Sequence, residues 1–193
     1  MLGFISRTLK RGAVALAIVA VSLFGLRVYD SQRGPPLEPW HTFVPDELSI
    51  NELDHADWRG YLKAEDGVFA QVRTEVTEKL PPRDRVPVNR YFEGSAIHPA
   101  HFKQDWNRSF ILEPRGKPVG AAVFLHGLTD SPYSLLQLAR HYRDRGFLAI
   151  AIRLPGHGTV PAGLTDIEWE DWLAATRLAV REARARVEAP APL

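Results

Sequence analysis

Two uninterrupted apolar runs, Ala121 to Leu125 and Phe147 to Ile152, constrain this chain more than any other feature, because each leads into a glycine-containing loop and then an amphipathic stretch. Strands without polar alternation are expected where helices cover both faces, not where one face meets water. Between the runs, Ser131 is suited to cap a helix with Pro132 at its first position, and Leu135, Leu136, Leu138, Ala139 and Tyr142 supply an apolar stripe. Gly146 predicts the stop. After the second run, Thr165 and Glu168 have capping-box spacing. They would open a helix whose Trp169, Trp172, Leu173, Thr176, Ala179, Val180, Ala183 and Val187 fall near one face. Strand, helix, strand, helix with short loops predicts parallel strands joined by right-handed crossovers, the α/β class. Upstream, residues 109–112 read as a further strand and 114–118 as a turn, which predicts a hairpin with the 121–125 strand.

In open α/β sheets ligands gather outside the carboxyl ends of the parallel strands, so the loops 126–131 and 154–160 are the candidate site. The segment Ala121-Ala-Val-Phe-Leu-His-Gly-Leu-Thr-Asp-Ser131, followed by Ile152-Arg-Leu-Pro-Gly-His-Gly158 and the Trp169-Glu-Asp-Trp172 helix start, resembles the α/β-hydrolase superfamily. The flavour is that of its monoacylglycerol lipase and carboxylesterase branch, and the resemblance covers roughly residues 108–188. It implies a serine ester hydrolase needing no metal or organic cofactor, with an ester or other acyl small molecule as substrate. It implies further that the Leu128 backbone N–H is one oxyanion-hole donor and that its side chain lines an acyl pocket. His126 and Gly127 would support that loop, and Gly156, His157 and Gly158 would shape the pocket mouth. An acyl-transfer transition state puts negative charge on the carbonyl oxygen, so backbone N–H groups must already point there. Where related sequences commonly carry an acid before the second loop, this chain has Arg153.

The family's Gly-x-Ser-x-Gly elbow occurs nowhere in the chain, and Gly94-Ser95 does not fit it. With the elbow absent, no acid or base can be assigned either. The chain is therefore expected to be the N-terminal portion of such an enzyme, with an incomplete sheet (a hairpin strand plus two βα units), and to be inactive alone. The alternative is a non-catalytic, membrane-tethered interaction module. Asp130-Ser131 reads as helix capping, and His98 and His101 read as surface histidines without further metal ligands.

The first thirty residues are different material. Arg7, Lys10 and Arg11 precede an apolar run from Gly12 to Leu26, closed by Arg27. At ~1.5 Å per residue that run alone covers about 22 Å, short of the ~30 Å hydrocarbon core unless Val28 and Tyr29 join it. With no small-residue cleavage site after it, residues 1–29 are expected to be an uncleaved inner-membrane anchor through 12–29. The basic flank predicts a cytoplasmic N-terminus and a periplasmic or otherwise extracytoplasmic domain. A Pro-rich tether is expected over 30–50, a helical segment over 51–80 divided near Gly60 and at 65–67, and the hydrolase-like part over 81–193. The chain's 24 basic and 23 acidic side chains give a net charge of +1, which provides no field for nucleic acid. Lacking cysteine, it has no disulfide, thiolate metal site or cysteine nucleophile.

Overall fold

The computed structural model describes residues 2–34, 36–105 and 107–187, and divides the chain into two units, Met1–Leu37 and Glu38–Leu193. The first is one helix, α1 (Leu2–Gln32). Its apolar part is longer than the Gly12–Leu26 run suggests. Lys10–Gln32, 23 residues with a mean hydropathy of 2.0 and no buried position, is long and apolar enough to cross a membrane. At about 1.5 Å per residue it reaches about 35 Å. Helix continues past Arg27 because nothing between Val28 and Gln32 breaks it, so the segment expected to begin a tether at residue 30 starts inside α1.

From Glu38 onward the chain belongs to the second unit, again unlike the expected tether over 30–50. Pro39–Thr42 forms a single helical turn, α2, and Pro45 is buried. Helices α3 (Ile50–His55) and α4 (Trp58–Val72) follow. The break between them lies at Ala56-Asp57 rather than near Gly60 or Gly67. Ser49 and Glu52 form a capping box on α3, and Asp57 caps α4 by accepting from the Gly60 N–H at 2.6 Å. Gly60 and Gly67 are thus carried inside α4. The helix passes into a π turn over Arg73–Thr77.

Among the described residues three strands form one sheet: β1 (Phe110–Leu112), β2 (Gly120–Leu125) and β3 (Phe147–Ile152), in the order β1-β3-β2. The expected hairpin of β1 with β2 does not form. β1 pairs antiparallel with β3, Phe110 opposite Ala151, while β2 runs parallel to β3, Val123 opposite Ile150. The central place goes to β3, which is buried from Leu148 to Ile152. Its alternation divides the core. Leu148, Ile150 and Ile152 join Leu53, Tyr61, Ala175 and Leu178 on one face. Ala149 and Ala151 meet Phe110, Phe124, Leu136 and Ala139 on the other.

The two covering helices of the sheet are α5 (Leu136–Asp144) and α6 (Trp169–Arg186). Both start differently from expectation. The Ser131 hydroxyl donates to Asn107 Oδ1 at 3.0 Å and so caps nothing, and Pro132–Leu135 is a 3-10 turn ahead of α5. Thr165 donates to the Ala162 carbonyl within another 3-10 turn, leaving Glu168 and Asp171 as the capping box of α6. Gly146 ends α5 region as expected, at φ +91°. Alanines 174, 175, 179 and 183 give α6 a small-residue face toward the sheet. Arg177 holds α3 through Asp54 at 2.7 and 2.8 Å, and Arg181 donates to the Leu53 and Ala56 carbonyls. Residues 188–193, where the sequence suggests a proline-broken helix end, lie outside the described residues.

Candidate functional site

The carboxyl ends of β2 and β3 lie side by side, so the loops leaving them share one end of the sheet. His126 ties them together. The Leu154 N–H donates to its Nε2 at 3.0 Å, so the ring proton sits on Nδ1, which donates to the Gly127 carbonyl at 3.1 Å. Burial pushes the His126 pKa down to about 4, with His157 and Arg153 acting in the same direction. A neutral imidazole with both nitrogens occupied is a strap rather than a proton acceptor.

Leu128 follows this strap. Among the described residues its N–H donates to no acceptor. Its side chain is 68% exposed. Nothing lies within 4 Å of where a Cβ on Gly127 would stand, and Thr129 adopts φ +62°. The backbone here is bent and open on one side. In the second loop, glycine is required by contact as well as by φ. A Cβ on Gly156 (φ +79°) would stand 2.7 Å from the Gly163 carbonyl oxygen, and one on Gly158 (φ +74°) 2.8 Å from that of Asn107. His157, 3% exposed, donates from Nδ1 to the Pro155 carbonyl at 3.0 Å, and Trp172 Nε1 donates to the same oxygen at 3.1 Å. The rings of His126 and His157 meet edge to face at 4.8 Å. A cavity of about 470 Å3 lies between the loops, lined by Thr129 to Ser131 on one side and 156–161 on the other.

What sets the second loop was not legible from its own residues. Arg153 is wholly buried and donates to both Glu47 oxygens at 2.7 and 2.8 Å, to Glu65 Oε1 at 3.2 Å and to the His157 carbonyl at 3.1 Å. Glu47 Oε1 also accepts from the Gly156 N–H at 2.9 Å. Ser109 joins in, donating to Glu65 from its N–H at 3.0 Å and its hydroxyl at 2.8 Å, and accepting from Arg153 N at 2.7 Å. The Tyr61 hydroxyl donates to the Arg153 carbonyl. Burial alone would lower the Arg153 pKa, but Tyr61, Glu47 and Glu65 hold it above its ordinary range. Burial pushes the Glu65 carboxyl up, opposed by Arg153 and Ser109. A signal for this network did exist in the sequence. Tyr61, Glu65, Val68 and Val72 share the buried stripe of α4, so an acid stands on a core face and an arginine ends an all-apolar strand.

No serine hydroxyl is hydrogen-bonded to a histidine among the described residues: Ser131 donates to Asn107, and Ser95, fully buried, to the Pro87 carbonyl at 2.6 Å. Nor is there a metal-binding group of three or more acidic or histidine ligands among them. His98 accepts from the Ala100 N–H at 3.3 Å as a cap, facing His101.

No family model matches the chain. A thermostable monoacylglycerol lipase from Bacillus sp. (strain H-257) is 36% identical to it over 58 residues, which are 30% of this chain and 23% of the lipase. That likeness suggests a hydrolase-like region. The matched stretch spans about a quarter of the lipase's length, so it points to the α/β-hydrolase superfamily at most.

Proposed function

We propose that residues 108–188 are the oxyanion-loop portion of a serine ester hydrolase, esterase- or lipase-like, of the α/β-hydrolase superfamily. The observation that carries this is the Leu128 N–H, left without an acceptor beside a cavity at the carboxyl ends of two parallel strands and held there by the His126 strap. A substrate carbonyl placed at that N–H would develop its negative charge where a donor already points. The attacking serine has to come from outside these residues, since the chain holds no Gly-x-Ser-x-Gly. Among the described residues β2 pairs with β3 alone, and a further parallel strand on its other edge would set a strand-end serine beside Leu128. The serine would attack the ester carbonyl, Leu128 and the residue after the serine would hold the oxyanion, and water would release the acid. The match to a monoacylglycerol lipase supports an ester with an apolar acyl group as substrate. On this reading the 193 residues by themselves turn over no ester.

The test begins with the coding DNA around these codons, where a Gly-x-Ser-x-Gly after an apolar strand is expected. In the protein that carries it, Leu128→Pro removes the N–H and is expected to lower kcat for a 4-nitrophenyl ester about 100-fold or more, with little change in KM. Serine-dependent turnover by the isolated 193 residues, or full activity in the proline variant, would refute the reading. That other edge of β2 also fits an interaction module tethered to a membrane. Coding DNA without an elbow, together with a monodisperse, cooperatively melting protein, would favour it.

A further inference from the structure

Arg90 stands where three cavities of about 390, 470 and 360 Å3 adjoin, and lines all of them. Its Nη2 lies 3.4 Å from the Gly158 carbonyl and its guanidinium carbon 5.6 Å from the Tyr91 ring centroid. Among the described residues it meets no carboxylate. The acids on the same walls are engaged elsewhere. Asp130 accepts from the Ser131 N–H at 2.8 Å, Asp105 from the Asn107 N–H at 3.0 Å, and Glu93 lies 3.5 Å from Arg73. Arg90 is therefore a cation whose charge the surrounding protein leaves unmatched.

A second observation lies on the wall shared by the two larger cavities. Thr159 is 6% exposed, and its Oγ1 has no hydrogen-bond partner among the described residues. A buried hydroxyl left unpaired is unfavourable, so such a group is expected where something completes it. Its backbone is fixed by the Tyr91 hydroxyl, which donates to the Thr159 carbonyl at 3.2 Å. Beyond Arg90 the smallest cavity opens between Ile97, Phe102 and Tyr133, each more than half exposed. One unmatched cation, one unpaired hydroxyl and an apolar cleft adjoin.

We propose that this junction binds a small organic carboxylate bearing an apolar chain, with the carboxylate on Arg90 and the Thr159 hydroxyl and the chain between Ile97, Phe102 and Tyr133. One cation and one hydroxyl suit a single negative charge, and the planar guanidinium matches a carboxylate. The binding site stands independently of the hydrolase reading; only the further step, that the acid is the acyl product of ester hydrolysis, rests on it.

The experiment is equilibrium dialysis of hexanoate against the full chain in zwitterionic nanodiscs, with empty nanodiscs as the blank. Saturable binding is expected, weakened about 10-fold or more by Arg90→Gln, partly restored by Arg90→Lys, and weakened several-fold by Thr159→Val. Hexan-1-ol, lacking the charge, and acetate, lacking the chain, are expected to compete about 10-fold less well. Binding that is absent, indifferent to Arg90→Gln, or equal for hexan-1-ol and hexanoate overturns the proposal. Arg90 is exposed and the threonine change is nearly isosteric, so unchanged melting of both variants is the check on folding. Ester turnover is not read, so failure of the hydrolase reading leaves this result intact.

Discussion

His126 shows at the scale of one residue how a ring can hold two loops together. Its neutral form takes one hydrogen bond and gives another, joining the loops after β2 and β3, and a second proton would break the bond from Leu154. The unfolded chain takes up that proton near the ordinary histidine pKa of about 6.5, whereas the folded chain resists it until about 4. The folded pKa is the lower one, so the stabilisation is present above about pH 6.5 and is lost as pH falls toward 4. The loss is expected to be about 2–3 kcal/mol, read by urea denaturation at pH 7.5, 6, 5 and 4.5. His126→Gln, which can still accept from the Leu154 N–H, should flatten that part of the profile. A wild-type profile already flat across this range would show that the ring is not held neutral.

Elements meet in this protein through a buried charge network as well as through apolar packing. Glu47 precedes α3, Glu65 sits on the core face of α4, and Arg153 ends β3, so one guanidinium fastens the N-terminal helical part to the sheet and to the glycine loop. Arg153→Met strands two buried carboxylates and is expected to cost about 3–5 kcal/mol at pH 7 in urea denaturation. Adding Glu47→Gln and Glu65→Gln should recover a measurable part of that loss, because amides leave no uncompensated charge. A loss below about 1 kcal/mol in the single variant would mean that apolar contacts alone set these elements. The same network explains why a resemblance that begins near residue 108 is served by residues 47 and 65 far upstream.

For the whole molecule the sharpest contrast is between two units of opposite surface. Residues 10–32 of α1 bury nothing, and the run from Gly12 to Leu26 within them carries no charge on any side of the helix, whereas Glu38–Val187 has its own core. We expect the full chain to stay in the membrane fraction through carbonate extraction and to become soluble once residues 1–37 are removed by a protease site placed after Leu37. Full-length protein released by carbonate, or a processed N-terminus in the mature chain, would remove the anchor from the account. The inner-membrane location and the outward-facing domain, expected from the Lys and Arg flank, belong to the same proposal.

Much of the fold could be read from the chain. Two all-apolar runs marked strands between covering helices, Gly146 marked a helix end, and the loops after those strands could be expected to share one end of the sheet, as they do. These features depend on residues adjacent in sequence. Other features depended on partners distant along the chain. Ser131 fits a helix cap until Asn107 accepts its hydroxyl, and β1 looks like the partner of β2 until β3 comes between them. Likewise Arg153 is only a departure from a family pattern until Glu47 and Glu65 arrive around it. Periodicity and propensity act within a few residues and so appear in the sequence itself. The pairing of strands and the neutralisation of buried charge are decided by which distant groups the folded chain brings within about 3 Å, and only the tertiary structure makes that choice.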